Sequence, residues 1–239
     1  MSRITVINPN TATELTATIS TAAQAVAGPG VTVTGVNPVV GVPSVESHAE
    51  EAIAAVGILD LIRTTQKDTD AYVIACFGDT GVAAAREVAT CPVVGMTEAA
   101  LHTACLVAHR FVVITLPPRT IAHSERVIDQ LGLQHRCSVR AVAADVAELV
   151  GGSTHLLDAF ARIARTAIDT EYAEAVVLGC AGLADLVEPL TAALNVPVID
   201  GVAAGVGIAA GLVAMGLTTS RANTFAPVPG LPSYRLEMS

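Results

Sequence analysis

The feature that most constrains this chain is a regular alternation of short apolar runs, rich in Val and Ile, with longer alanine-rich segments. Continuous apolar strands that alternate with helices indicate parallel sheets covered on both faces. We therefore predict an α/β protein with strands at 3–8, 31–36, 71–76, 92–95, 110–115, 138–143, 174–179 and 196–200. The segments between them predict helices at 12–27, 46–67, 81–90, 97–109, 120–131, 144–150, 154–169, 183–195 and 201–216.

The second half of the chain repeats the first at an offset of about 105 residues. Both "CPVVGMTEAALHTA" and "VPVIDGVAAGVGIAAG" place Pro-Val and a small turn before an alanine-rich helix. The offset recurs at three separate landmarks, which are Arg3 and Arg110, Cys76 and Cys180, and Pro92 and Pro197. This repeat predicts two pseudo-symmetric lobes, each with a four-stranded parallel sheet of the Rossmann or flavodoxin-like kind, facing each other across a cleft.

The composition excludes several classes of protein. An apolar fraction of 52% with 15% charged residues is typical of a globular chain with a large core. The excess of 22 acidic over 13 basic residues argues against a nucleic-acid partner. The uncharged segment 201–217 is too short and too rich in Ala and Gly for a membrane span, so we predict a buried helix there. The N-terminus has no signal-peptide pattern, and we predict a cytoplasmic protein without a membrane partner.

The spacing of cysteines and histidines favours neither a metal site nor a disulfide framework. The five cysteines are odd in number and contain no Cys-x-x-Cys pair. The six histidines form no close ligand pair, and we expect them at the surface or in helix caps. The stretch "GVGIAAG" at 205–211 resembles a dinucleotide fingerprint, but no acidic residue follows at the required distance. We predict no metal and no cofactor.

Cys76 and Cys180 each follow a predicted strand and precede a glycine-containing turn. Ligands of open parallel sheets bind beyond the carboxyl ends of the strands, so the repeat predicts that both thiols face one cleft. Backbone N–H groups at a helix start favour a thiolate and can hold a developing oxyanion. Two acid–base groups on opposite faces of one carbon are what inversion of a stereocentre requires. A redox pair is the alternative for these two, whereas the remaining cysteines are expected in the core: Cys91, Cys105 and Cys137.

Four stretches resemble the aspartate/glutamate/hydantoin racemase superfamily, namely "INPNT" at 7–11, "ACFGDTG" at 75–81, "PVVGMTEAA" at 92–100 and "LGCAGLA" at 178–184. The resemblance runs along nearly the whole chain and is strongest to the hydantoin racemases, with the allantoin racemases next. It implies a cofactor-independent two-base racemase that uses both cysteines. It also implies a first lobe of residues 1–97 plus about 205–239, and a second lobe of residues 98–204. Related arylmalonate decarboxylases keep only the second cysteine, so Cys76 argues against that chemistry.

The residues after the two cysteines bear on the substrate. Amino-acid racemases of the superfamily have Asn-Thr and Thr-His there, whereas this chain has Phe77-Gly78 and Ala181-Gly182. Backbone N–H groups and apolar surface suit a neutral ring better than a zwitterion. We therefore expect 5-monosubstituted hydantoins as substrates, with allantoin as the alternative. A bilobal small-molecule binding protein without catalysis is the alternative from a different class.

Four further residues are candidates for binding the substrate. Asn10 follows the first strand, where it is placed either to bond a ring edge or to cap the following helix. Thr80 is a candidate donor to a ring carbonyl or a cap. Ser44 lies in a stretch that resembles the family's substrate loop, and it could instead begin the next helix. Pro117 is expected in the cleft wall. The apolar Gly/Ala-rich helices predict a homo-oligomer.

Overall fold

A computed structural model describes residues 1–230 of the chain. The strands are β1 (Ser2–Ile7), β2 (Val31–Val36), β3 (Ala71–Ile74), β4 (Val93–Gly95), β5 (Phe111–Thr115), β6 (Cys137–Ala141), β7 (Ala175–Gly179) and β8 (Val198–Asp200). The helices are α1 (Thr13–Val26), α2 (His48–Thr65), α3 (Val82–Val88), α4 (Met96–Val107), α5 (Ile121–Gln130), α6 (Leu157–Glu171), α7 (Val187–Leu194) and α8 (Gly201–Ala214). The predicted alternation of strands with helical segments therefore runs along the described chain.

The strands form two separate parallel sheets with the same topology. The order is β2-β1-β3-β4 in the first sheet and β6-β5-β7-β8 in the second. In the first sheet, Ile4 pairs with Ala71, and in the second, Phe111 pairs with Ala175. Every residue of β3, β5 and β7 is buried, as expected for strands covered on both faces. The predicted α/β class and the two four-stranded parallel sheets are confirmed.

Two predicted helices differ in type from what the structure shows. The segment predicted as a helix at 144–150 is a short 3₁₀ turn over Val146–Leu149. It ends at Val150, which has an extended backbone, and Gly151 and Gly152 then follow with φ of 92° and 117°, outside the helical region. The segment predicted as one helix at 183–195 begins with a 3₁₀ turn over Ala181–Leu186 before α7. Pro189 lies in the first turn of α7, where its missing N–H costs no helical bond.

The apolar helix α8 is buried against the first sheet. It packs on β1, β3 and β4, and a Cβ at Gly205 would lie 2.7 Å from a Val73 methyl carbon. Small residues therefore allow this close approach of the helix to the sheet. Within residues 1–230, none of the helices combines the length and apolar character that crossing a bilayer requires. The division into 1–97 plus 205–239 and 98–204 remains a prediction, and its residues 231–239 lie outside the described part of the chain.

Asp79, in the loop that follows β3, caps helix α4. Its carboxylate accepts the backbone N–H groups of Thr97 at 2.8 Å and Glu98 at 2.9 Å. The Thr97 hydroxyl in turn accepts the Gly78 N–H at 2.7 Å. Asp79 has a φ of 54°, and a Cβ at Gly95 would lie 2.4 Å from its carboxylate carbon, so no side chain fits beside the cap. These bonds fix the loop that carries Cys76 to the first turn of α4.

Replacement of Asp79 by Ala is expected to lower the free energy of unfolding by about 1–3 kcal/mol, because two N–H groups of α4 lose their acceptor. Asp79→Asn should cost less, because its amide oxygen still accepts one of them. Urea unfolding measures both variants, and the midpoint should fall without a change in slope. Equal stability of wild type and Asp79→Ala would contradict this role.

Candidate active site

The structure brings Cys76 and Cys180 to one cavity between the two lobes. Cys76 follows β3 and Cys180 follows β7, so each thiol lies beyond the carboxyl end of the equivalent strand in its sheet. Both residues line the same cavity, and Cys180 is close enough for its negative charge to raise the pKa of Cys76. The rest of the wall is mainly apolar and includes Leu15, Val45, Phe77, Leu116, Val146 and Ala181.

Five of the ten predicted site residues line this cavity: Cys76, Cys180, Asn10, Phe77 and Ala181. The other five, Ser44, Gly78, Thr80, Pro117 and Gly182, are not part of its wall. Ser44 and Pro117 are chain neighbours of the lining residues Val45 and Leu116. Their predicted roles in binding stay predictions.

Gly78 and Gly182 are required for close packing. A Cβ at Gly78 would lie 2.9 Å from the Cβ of His123, and Gly78 has a φ of 112°. A Cβ at Gly182 would lie 3.0 Å from a methyl carbon of Leu15, which lines the cavity. The N–H of Gly78 donates to Thr97, so it is not free to hold an oxyanion, contrary to the expectation from the sequence.

Asn10 lines the cavity and also forms hydrogen bonds with neighbouring residues of its own loop. Its Oδ1 accepts the Nδ2–H of Asn8 at 2.8 Å and the backbone N–H of Ala12 at 3.0 Å. The amide NH₂ group is therefore the part of Asn10 that can donate to a ligand carbonyl. Asn8 and Thr115 also line the cavity and were missed by sequence reasoning. Their positions in the sequence could have indicated this, because Asn8 and Thr115 lie at the carboxyl ends of the matched strands β1 and β5.

The Cys76 sulfur contacts a hydroxyl that is itself bound to a carboxylate. Its Sγ lies 3.3 Å from Oγ1 of Thr80, and that hydroxyl donates to Oε1 of Glu51 at 3.2 Å. Burial raises the pKa of the Cys76 thiol to about 12. A hydrogen bond from Thr80 acts against this and lowers the pKa, whereas the negative charges of Glu51 and Asp79 raise it further. Cys76 is therefore held as a neutral thiol.

Cys180 has a different environment. Burial raises the pKa of its thiol to about 11, with the charges of Glu46 and Asp200 acting in the same direction. The backbone N–H groups of Gly182 and Ala181 lower the pKa of Cys180. The expectation that such N–H groups would favour a thiolate is correct in direction, but removal from water outweighs them.

Behind Thr80, Glu51 belongs to a charged cluster that joins the lobes. Arg126 donates to both carboxylate oxygens of Glu51, at 3.0 and 2.7 Å, and to the Gly78 carbonyl at 2.8 Å. Nδ1 of His48 lies 3.0 Å from Oε2 of Glu51. Burial alone would raise the pKa of Glu51, but the bonds from Arg126 and His48 lower it to about 2. Glu51 is therefore a carboxylate at neutral pH.

The histidines differ from expectation at one position. His123 is buried, with 3% of its surface exposed, because α5 packs against the Cys76 loop. One ligand atom from each of His48, Glu51 and His123 lies within 4.8 Å of the other two, a distance that would suit a metal ion. Arg126 already occupies both oxygens of Glu51, and its positive charge opposes a cation there.

The cavity between the two cysteines is small. It measures about 40 Å³, which is room for a few water molecules and not for a five-membered ring. Val45 and Val146 approach it from opposite lobes, and Oε1 of Glu46 accepts the N–H of Val146 at 3.2 Å. Binding of a cyclic substrate therefore requires these walls to separate.

Comparison with known proteins identifies one family over most of the chain. The model of the "Asp/Glu/Hydantoin racemase" family matches residues 4–209. A hydantoin racemase of Rhizobium meliloti is 39% identical over 225 residues, which cover 93% of each chain. A hydantoin racemase of Paenarthrobacter aurescens is 36% identical over 226 residues, covering 93% of this chain and 96% of that one.

A solved structure shares the whole architecture. The allantoin racemase from Klebsiella pneumoniae is 43% identical and superposes with a TM-score of 0.91, covering 100% of this chain and 97% of that one. The family match, the two relatives and the two-lobed fold agree with one another. This chain therefore belongs to the Asp/Glu/hydantoin racemase family and is an isomerase.

Proposed function

We propose that this protein is a cofactor-independent racemase that inverts C5 of 5-monosubstituted hydantoins by proton transfer between Cys76 and Cys180. One observation carries the proposal: two thiols from equivalent strand ends of two matched lobes line a single cavity. A binding protein without catalysis would not need a sulfur atom on both sides.

The chemistry requires one thiolate and one thiol. The thiolate removes the C5 proton from one face of the ring, and the pair of electrons left on carbon is delocalised into the neighbouring carbonyl as an enolate. The opposite thiol then donates its proton to the other face and becomes the thiolate. The high pKa values of both thiols match this task, because a thiolate that is costly to form is a strong base toward carbon.

The cavity wall supports a neutral substrate. Among the described residues, none of the side chains that line it is an Asp, Glu, Lys or Arg. An amino-acid zwitterion would need charged partners to leave water, whereas a hydantoin ring needs only donors and acceptors for its carbonyl and N–H groups. The amides of Asn8 and Asn10 offer both.

Allantoin is the second candidate substrate. It carries the same ring with a polar substituent at C5, and the 43% identical structure is named an allantoin racemase. The apolar wall, which contains Leu15, Val45 and Phe77, favours an apolar substituent instead. We therefore place hydantoins with apolar substituents first.

We also expect the protein to act in the cytoplasm as a homo-oligomer. The exposed apolar residues Val26, Leu106 and Val107 on α1 and α4 support an interface between subunits. The predicted lobe boundaries belong to the same proposal, with α8 completing the first lobe.

Incubation of enantiopure 5-benzylhydantoin and enantiopure allantoin with the enzyme in deuterated water tests the reaction. We expect loss of optical rotation together with deuterium at C5, faster for 5-benzylhydantoin, after subtraction of the rate without enzyme. Faster turnover of allantoin would reverse the choice of substrate. If neither compound loses optical rotation or takes up deuterium, the proposal of a racemase of cyclic ureides is contradicted.

Replacement of Cys76 or Cys180 by Ser should each lower kcat by at least about 10³-fold, because each removes one of the two proton-transferring groups. Cys91→Ser is the matched control, because Cys91 lies outside the cavity, and its activity should equal that of wild type. Normal racemisation by either cavity variant would eliminate the two-base mechanism.

The raised thiol pKa values predict a pH dependence. Because both thiols are neutral near pH 7, the thiolate fraction and with it kcat/KM should rise close to tenfold per pH unit between about pH 6 and pH 8. Initial rates with 5-benzylhydantoin at constant ionic strength measure this slope. A flat profile would show that a thiolate is already present at neutral pH.

A further inference from the structure

Thr80 stands between a cavity thiol and a carboxylate that does not touch the cavity. Its Oγ1 lies 3.3 Å from Sγ of Cys76 and 3.2 Å from Oε1 of Glu51. A hydroxyl has one hydrogen to donate and two lone pairs to accept with. An ionised carboxylate can only accept. The Thr80 hydrogen therefore belongs to Glu51, and Cys76 is left facing a lone pair of Thr80.

A lone pair at this position favours a protonated sulfur. Cys76 as S–H can donate to Oγ1 of Thr80, whereas a Cys76 thiolate would face both that lone pair and the charge of Glu51 behind it. A hydrogen bond donated by Thr80 would lower the pKa of Cys76, but a thiolate could gain that bond only if the hydroxyl rotated away from Glu51. The carboxylate of Glu51 opposes that rotation.

The remaining groups near Cys76 do not offset this preference. Asp79, from its own loop, adds negative charge near the sulfur, and so does Cys180, from the other lobe, once it is ionised. Arg126 is a cation nearby, but its guanidinium is bound to both oxygens of Glu51. His123 is buried beside it, and this burial lowers its pKa, so it is neutral near pH 7. His48 contacts Glu51.

Cys180 has backbone donors in place of such a carboxylate–hydroxyl pair. Cys180 precedes a 3₁₀ turn, and the backbone N–H groups of Gly182 and Ala181 at the start of that turn lower the pKa of its thiol. Glu46 and Asp200 act on it through space, but Glu46 is bound to the Val146 N–H and Asp200 caps α8 through the Ala203 N–H. The two thiols, equivalent by the repeat, are therefore not equivalent in chemistry.

We propose that Glu51 is a positioning residue that keeps the Thr80 hydrogen away from Cys76, so that Cys76 is the proton donor of the pair and Cys180 the first thiol to become the base. This assignment rests on the proposed function for its role in racemisation. An enantiomer whose C5 proton faces Cys180 then reacts with the more stable of the two singly ionised forms of the pair. After turnover Cys180 carries the proton and Cys76 the charge, and the Thr80 hydroxyl must rotate to stabilise that form.

Alkylation of the two cysteines tests the assignment without any substrate. Wild type and variants are treated with iodoacetamide at pH 8, and peptide mass spectrometry gives the rate at Cys76 relative to Cys180. Glu51→Gln removes the charge and leaves only a neutral amide oxygen to accept from Thr80, so the hydroxyl turns to a Cys76 thiolate more readily and the relative rate at Cys76 should rise about tenfold. Glu50→Gln, which makes the same change one residue earlier on α2, where the carboxylate bonds Ser47, should leave the ratio unchanged.

Two further variants separate positioning from charge alone. Glu51→Asp keeps the charge but withdraws it from Thr80, and the relative rate at Cys76 should still rise. In Glu51→Gln combined with Thr80→Val, the hydroxyl can no longer donate to the thiolate, so most of the increase should be lost. Glu51→Gln combined with Thr80→Ser keeps a hydroxyl at position 80 and should retain the increase in the relative rate at Cys76. An unchanged ratio in both Glu51→Gln and Glu51→Asp would overturn the proposal.

Changes in access are recognised with a second reagent. N-ethylmaleimide is larger than iodoacetamide, so a wider entrance would change the two rates by different factors, whereas a change in thiolate fraction changes both equally. If a variant changes the rates with iodoacetamide and N-ethylmaleimide by different factors, the result counts against the proposal. If wild type racemises no hydantoin yet alkylation follows the expected order, the proposed function fails and the assignment of the thiols stands. Normal racemisation with an unchanged ratio would overturn the assignment of the thiols and leave the proposed function intact.

Discussion

Arg126 makes the contact on which the site depends. From α5 of the second half of the chain it binds both oxygens of Glu51 on α2 and the carbonyl of Gly78, close to Cys76 in the chain. Glu51 is only 8% exposed whereas the Arg126 side chain is 38% exposed, so loss of Arg126 would leave a buried carboxylate without its cation. This contact joins the two halves of the chain beside the loop that carries Cys76.

The same contact breaks the symmetry that the repeat creates. Duplication of one lobe would give two equivalent thiols, each at the end of the third strand of its sheet. Arg126 keeps Glu51 ionised, and Glu51 in turn holds the hydroxyl that faces Cys76. At Cys180, the backbone N–H groups of Gly182 and Ala181 lower the pKa of the thiol instead. A two-base racemase needs one acid and one base at any moment, and this difference supplies them from a symmetric fold.

Much of this arrangement is predictable from the sequence. Ligands bind beyond the carboxyl ends of parallel strands, so matched positions of Cys76 and Cys180 in two lobes that face each other are enough to predict a shared cavity. Glu51 and Arg126 are not predictable, because their contact joins helices from different halves and depends on how side chains pack. The sequence predicts Thr80 as a substrate donor or a helix cap, but its contact with Glu51 is not predictable, because it depends on the turn at Gly78 and Asp79, which directs Thr80 toward α2.

The most direct measurement is a crystal structure of the protein with an enantiopure 5-substituted hydantoin bound, in a variant with one cavity cysteine replaced by Ser. We expect the ring to lie between residues 76 and 180, with the two side chains on opposite faces of C5 and the walls at Val45 and Val146 moved apart. A ring bound elsewhere, or with both side chains on the same face of C5, would contradict the two-base mechanism.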